Sequence, residues 1–376
     1  MTTRTGLIWH ELFMWHRQGN YSGLMPANYP VQPGTHYETA EGKRRIKNLL
    51  DASGFIEQLV PVKVRPATDE ELQRVHTPRY IAQLERDNRE TEAMAGFDAP
   101  YSRGSFDIAR LVGGGMVEAV DAILAGTIDR AYLLGRPVGH HAESDEGKGF
   151  CLINNAAVGA GHALASGIER IAFVDVDVHH GNGAEEIFYA DPRVLTISVH
   201  QDHWFPPETG NVADTGKDAG EGFNLNVPLP AGCGFEAYRK AITDVVIPAL
   251  EAFRPQLIVV PFGVDAGAQD PLGRMILGSN HFRWIAQALS DAADRLCGGR
   301  MLVTHEGGYN EATSPFMALA VIETIVGASS GVVDPYGAIM DSMPGHELLP
   351  HQAEAIDAAA ANLETLHRAL GAAVAA

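Results

Sequence analysis

Cysteine is scarce in this chain: Cys151, Cys233 and Cys297 are the only three, far apart and in no Cys-x-x-Cys pair. An odd, scattered set speaks against a disulfide framework or a cysteine-based metal site, and a reducing cytoplasm is the expected setting. No apolar run reaches the ~18 residues of a spanning helix, so no membrane segment is expected. The stretch MTTRTGLIWHELFMW lacks a cationic start, a long apolar core and a small-residue cleavage site, and no secretory signal is read there. Positive charge is also short: 28 Lys and Arg stand against 47 Asp and Glu, a formal net charge of −19. That balance repels phosphate backbones and disfavours nucleic acid as a partner. Acidity that keeps the protein soluble is a simpler reading than steering of a cationic substrate, and the two are compatible. Internal repeats, low-complexity linkers and long charge runs are absent. With no break in composition, one domain over residues 1–376 is expected.

What is present is a regular alternation. Short apolar runs at 6–9, 131–134, 171–177, 194–200, 256–263 and 301–304 read as strands. Longer segments at 106–125, 155–165, 236–253, 281–296 and 351–374 read as helices. Strands separated by helices imply βαβ units and a parallel sheet. The runs do not alternate with polar residues, which suits strands covered on both faces. The Gly- and Pro-rich segments 18–36 and 201–222 read as long loops, a length that is often functional.

In open parallel sheets, ligands bind beyond the carboxyl ends of the strands. His140 and His141 follow the run at 131–134. Asp175, Asp177, His179 and His180 close the run at 171–177, Asp265 and Asp270 follow 256–263, and His305, Glu306 and Tyr309 follow 301–304. If 175–179 stays extended, Asp175, Asp177 and His179 share one face. A carboxylate and an imidazole there, with Asp265 from a neighbouring strand end, make the three-ligand set of a catalytic zinc with one open position. For an isolated Asp-x-His, a hydrogen-bonded polar cluster would be the simpler reading. Asp-x-Asp-x-His-His after a buried strand, with acids and imidazoles on other strand ends, favours metal. His140 and His141 would line the cleft if their loop curls, with Asp175 and Asn182 available to hold their far nitrogens. Tyr309, after Gly307 and Gly308, is placed to offer its hydroxyl to an oxyanion, or is a packed aromatic after an ordinary turn. Phe150 and Phe205 are either the walls of an apolar channel or core.

Together GRPVGHHA, GFCLINNAAV, VDVDVHHGNG, GVDAGAQDPLGRM and EGGY, in this order over residues 5–330, resemble the zinc-dependent histone deacetylase superfamily. The long N-terminal loop, GNG in place of GDG, and DPLGRM are most similar to class II bacterial histone deacetylase-like amidohydrolases. The resemblance implies a single-domain arginase–deacetylase α/β fold, with a central, mostly parallel sheet and helices on both faces. It implies hydrolysis of an acyl-amide on a lysine side chain or lysine-like amine, with an acetylpolyamine amidohydrolase as the alternative. The implied zinc ligands are Asp177, His179 and Asp265. His140 and His141 would be the catalytic pair, supported by Asp175 and Asn182, and Tyr309 the oxyanion donor. Gly149, Phe150 and Phe205 would line the acyl-lysine tunnel, with Leu272 and Asp98 at its mouth and Gly307 among the substrate-binding residues. Potassium would match Asp175, Asp177, His179, Ser198 and Val199, and at a second site Phe188, Asp191, Val194 and Phe223. Val138 departs from a usual second proline, and His305 from a usual aliphatic residue; His305 would titrate near Tyr309 or be buried and neutral. A homo-oligomer, dimer or tetramer, is expected, with Trp9, Trp15 and Tyr21 at an interface or capping the tunnel. A non-catalytic binding protein would not need the full ligand set, both histidines and the tyrosine. A two-metal ureohydrolase would need more acids.

Overall fold

The computed structural model describes residues 3–375; Met1, Thr2 and Ala376 lie outside it. Eight strands form one sheet: β1 Thr5–Ile8, β2 Leu59–Pro61, β3 Arg130–Leu133, β4 Ile171–Asp175, β5 Val194–Gln201, β6 Asn224–Leu229, β7 Leu257–Phe262 and β8 Met301–His305. Their order across the sheet is β6-β5-β4-β7-β8-β3-β1-β2, and every pairing is parallel. The expected mostly parallel sheet is thus wholly parallel. Helices cover both faces, as the unbroken apolar runs require. Along β4, Ile171 and Phe173 join one buried cluster while Ala172 and Val174 join the other. That is the two-residue period of a strand sandwiched between two cores. Among the described residues no helix is long and apolar enough to cross a membrane.

The expected helix at 155–165 is Asn155–Ala165, and 281–296 lies within Ser279–Cys297. The segment 236–253 stays helical but widens into a π turn at Ile242–Val246. Pro248 follows after Ile247, and its missing N–H removes one regular helical hydrogen bond. The tail expected as one helix is two, Pro350–Ala360 and Leu363–Ala375. Between them Asn362 turns its amide to the Val212 carbonyl at 2.6 Å. Strand β6 escaped the sequence reading because Asn224, Asn226 and Pro228 interrupt its apolar run. Both asparagines present their amides to Glu185 Oε2 at 2.7 Å.

Topology decides where chemistry accumulates. Strands β4, β7, β8 and β3 are consecutive neighbours in the middle of the sheet. The four polar strand ends of the sequence are therefore side by side at one rim.

Candidate active site

Pairing of β4 ends at Asp175, and the chain bends through residues 177–179. The bend separates what an extended chain would have kept together. Asp177 and His179 turn toward Asp265, whereas Asp175 faces His140. The expectation that Asp175 shares the face of Asp177 and His179 is corrected accordingly. One ligand atom each from Asp177, His179 and Asp265 lies within 4.8 Å of the others. His179 Nδ1 is 2.9 Å from Asp177 Oδ1 and 3.1 Å from Asp265 Oδ2. The outer oxygens are taken by backbone: Gly307 N–H donates to Asp177 Oδ2 at 2.8 Å and Val178 N–H to Asp265 Oδ1 at 2.9 Å.

Asp265 Oδ2 is buried and accepts no hydrogen bond. A buried acceptor left alone is costly. Burial and then the Asp177 charge push the Asp265 carboxyl up to about 7. Burial alone would raise Asp177 too, but His140 and His179 hold it well below the carboxylate range. Two buried carboxylates and one imidazole around an unsatisfied inner oxygen fit a divalent cation, and the N and O donors suit one such as zinc. Gly307 makes the approach possible, since a Cβ there would stand 1.9 Å from Asp265 Oδ2.

The loop carrying His140 and His141 does curl. Their ring centroids are 3.9 Å apart. His140 Nδ1 is 3.0 Å from Asp175 Oδ2, and His141 Nδ1 is 2.7 Å from Asn182 Oδ1. Burial opposes charge on His140, but Asp177 and Asp175 outweigh it and raise its pKa to about 10. His141 is driven well below the usual imidazole range by burial, then by His140 and His179. Neighbouring imidazoles pushed apart in this way hold different protonation states.

Residues without a role in the sequence reading support this turn. Glu306 Oε2 accepts from the backbone N–H of Gly139 at 2.8 Å and of His140 at 3.3 Å. Asn154, the N-cap of helix Asn155–Ala165, donates from Nδ2 to the Ala142 carbonyl at 3.1 Å. Asn154 N–H in turn donates to His76 Nε2 at 3.0 Å. Asp270 fixes the opposite wall, accepting from Tyr309 N–H at 2.7 Å and Leu272 N–H at 2.8 Å. Each is a carboxylate, amide or imidazole satisfying loop backbone. Glu306 and Asp270 were visible as strand-end acids, but spacing does not reveal which backbone an acid will hold.

A pocket of about 180 Å³ leads to the site, and His141, His179 and Tyr309 are at its base with Gly149, Phe150, Phe205, Leu24, Asp98, Trp204 and Leu272 around it. Phe150 and Phe205 are thus walls. Gly149 has φ +48, and a Cβ there would meet the His141 ring at 2.5 Å. His140 and Gly307 do not line the pocket; they stand behind it. Tyr309 is raised well above the usual phenol value by burial, then by Asp265 and Asp177, so it remains a donor. Burial raises Asp98 to about 6. Val138 packs beneath with Ala142, Phe150 and Cys151. His305 lies 2.6 Å from the Tyr132 hydroxyl, and burial then the Lys43 charge keep it neutral; it does not serve Tyr309.

This arrangement agrees with what the chain is similar to. The model of the histone deacetylase domain matches residues 36–325. The chain belongs to the histone deacetylase family. It is 48% identical to a histone deacetylase-like amidohydrolase of Pseudomonas aeruginosa over 339 residues, covering 89% of each chain. It is 34% identical to a probable deacetylase of Archaeoglobus fulgidus, covering 86% of each. The crystal structure of the HDA15 HD domain superposes with a TM-score of 0.84 at 31% identity, covering 100% of this chain and 99% of that one. Deacetylase-type amide hydrolysis and the arginase–deacetylase fold follow from this membership.

The remaining positions implied by the family resemblance are also placed. Ser198 pairs with Asp175 across β4 and β5, and Val199 follows it. Phe188, Asp191 and Val194 form the turn between helix Asn182–Phe188 and β5. The Phe223 carbonyl accepts from Thr196 N–H at 3.0 Å. The Leu24 contact brings the 18–36 loop to the pocket mouth. Trp9 packs against the core, Tyr21 lies against His36, and Trp15 is 64% exposed.

Proposed function

We propose that this histone deacetylase homologue is a zinc-dependent hydrolase acting on linear amides, removing acetyl or a related acyl group from a lysine side chain or lysine-like amine. The observation that carries it is the Asp177–His179–Asp265 group, whose His179 lines an apolar pocket together with His141 and Tyr309. Zinc held by those three residues supplies Lewis acidity for an amide carbonyl and a lowered pKa for water. His141, with its Nδ1 proton held by Asn182, presents Nε2 as the base that takes a proton from the attacking water. The water oxygen bonds to the carbonyl carbon, Tyr309 O–H donates to the oxyanion, and His141 returns the proton to nitrogen as the C–N bond breaks. A carboxylate and a free amine leave. His140, charged against Asp175, acts electrostatically. Gly149, Phe150 and Phe205 hold the alkyl chain, Asp98 and Leu272 meet the substrate at the mouth, and Gly307 keeps the ligands in place.

The natural substrate class is either an acylated lysine peptide or an acetylated small amine. The net charge of −19 favours a polyamine. At the rim, however, the Arg274 guanidinium lies 5.0 Å over the Trp204 ring, and Trp204 Nε1 donates to the Leu272 carbonyl at 2.5 Å. A fixed cation there repels a polycation, so we favour the peptide. Amine release from the two substrate types side by side separates them.

Three further assignments belong to this reading. Potassium would bind at Asp175, Asp177, His179, Ser198 and Val199, and at Phe188, Asp191, Val194 and Phe223, where carbonyl, hydroxyl and carboxylate oxygens suit a hard cation; replacing potassium by a bulky organic cation tests it. Residues 1–376 would act as one catalytic domain in the cytoplasm, in keeping with three free buried cysteines. The chain would assemble as a dimer or tetramer through the N-terminal loop, where Trp15, Met25 and Tyr29 are exposed; light scattering gives the mass.

A further inference from the structure

Glu143 and Lys148 have no part in the chemistry described so far. They flank a short excursion, ESDEGK, between the histidine pair and the tunnel wall at Gly149 and Phe150. Lys148 Nζ donates to Glu143 Oε1 at 2.6 Å, and their side chains are only 16% and 20% exposed. An exposed ion pair would contribute little. This one is sheltered, and the same Glu143 Oε1 also accepts from Asn182 Nδ2 at 2.7 Å. Asn182 Nδ2 further donates to the His141 carbonyl at 3.1 Å.

Counting donors and acceptors settles which way this amide points. Nδ2 faces two acceptors that carry no proton, Glu143 Oε1 and the His141 carbonyl, so the NH₂ group belongs there. Oδ1 must then face His141 Nδ1, 2.7 Å away, and can only accept. His141 therefore carries its proton on Nδ1, which leaves Nε2 as an acceptor toward the pocket. An amide is a weaker partner for an imidazole than a carboxylate. A carboxylate on the far side of that amide polarises it and strengthens its carbonyl as an acceptor, because linked hydrogen bonds reinforce one another in a buried setting.

We propose that Glu143 is a positioning residue for His141, acting through the Asn182 carboxamide, with Lys148 holding Glu143 against it. The carboxylate missing from position 182 is supplied one residue further out. The inference rests on the proposed role of His141 as the base. Because Lys148 adjoins Gly149, the same pair also ties the base to the tunnel wall.

The test uses the zinc-loaded full chain and the substitutions Glu143→Gln and Asn182→Asp, singly and together. Circular dichroism and bound zinc serve as fold controls. Nitrogen-15 NMR of labelled histidine reads the His141 Nδ1 proton directly, whether or not any substrate turns over. In Glu143→Gln we expect that resonance to move upfield and to exchange faster with water. We expect kcat to fall about 10-fold with KM unchanged, the scale of losing a partner behind a ligand or base. In the Asn182→Asp background the same Glu143→Gln change should no longer lower kcat, since an aspartate accepts from Nδ1 itself and offers Glu143 no N–H. An unaltered His141 resonance in Glu143→Gln, or an equal loss of kcat in both backgrounds, would overturn the proposal. A wild-type protein that releases no amine while its His141 resonance still responds to Glu143 would leave the positioning intact and refute the hydrolase reading instead.

Discussion

Asp265 Oδ2 is buried, unpartnered and turned toward His179, and the site depends on it. Removing that carboxylate in Asp265→Ala is expected to abolish stoichiometric zinc, read by plasma mass spectrometry; full metal content would remove Asp265 from the ligand set. Tyr309 acts one step later. Tyr309→Phe is expected to keep fold and zinc while turnover drops about 10²–10³-fold, the scale of one lost oxyanion donor. Near-normal turnover would mean the hydroxyl does not meet the oxyanion. Both residues were legible in the sequence because metal and proton chemistry demand particular residue types at strand ends. Glu306, Asp270 and Glu143 are equally built into the site yet were not assigned. Their function lies in which N–H each meets, loop backbone for Glu306 and Asp270 and the Asn182 amide for Glu143, a consequence of folding that spacing does not encode. Asp175 shows the converse limit: its shared face with Asp177 and His179 holds only for an extended chain, and the bend through 177–179 turns those two toward Asp265 while Asp175 faces His140.

At the scale of elements, helix Asn155–Ala165 is tied to the catalytic loop through its N-cap. Asn154 Oδ1 accepts from Ala157 N–H at 2.9 Å while its Nδ2 donates to the Ala142 carbonyl. Asn154→Ala is expected to lower stability by about 1 kcal/mol, as loss of a cap does. It should also reduce turnover, because the Ala142 carbonyl loses its donor. A shifted urea midpoint with unchanged kcat would show that the cap does not support the loop. The six strands read from apolar runs all formed, with ends displaced by a residue or two. Within the eight-stranded sheet those overlooked were the short edge strand β2 and β6, whose asparagines serve Glu185, and the expected loop at 18–36 holds a small hairpin, Tyr21–Ser22 with Met25–Pro26. The tail helix broke where Asn362 found a better partner than its own helix, a tertiary preference no local pattern reveals.

At the scale of the whole molecule, buried histidines should write themselves into stability. His76 and His16 are buried and lowered to about 4 and about 3, chiefly by burial. Their neutral forms stabilise the fold fully above the unfolded value near 6.5, and that contribution is lost as pH falls toward 4 and 3. His140 and His179 run the other way, raised to about 10 by the carboxylates around them against the effect of burial. Their contribution is complete below 6.5 and is lost as pH rises toward 10. These four histidines place the greatest stability of the metal-free protein near pH 6.5, and Asp265 and Asp98, raised to about 7 and about 6, lose stability as pH rises and draw that maximum lower, with urea midpoints falling on both sides. Zinc should shrink the alkaline fall, since a cation then replaces the proton of His179 that neutralised the ligand carboxylates, while His140 keeps its partner Asp175; an alkaline fall that zinc leaves unchanged would contradict this. The central claim is tested most directly by mass spectrometry of amine release from acetyl-lysine peptides and acetylated polyamines, using zinc-loaded protein with and without a chelator. The account predicts chelator-sensitive release, faster from peptides. No release from either substrate by fully zinc-loaded protein, or release that a chelator leaves untouched, would contradict it.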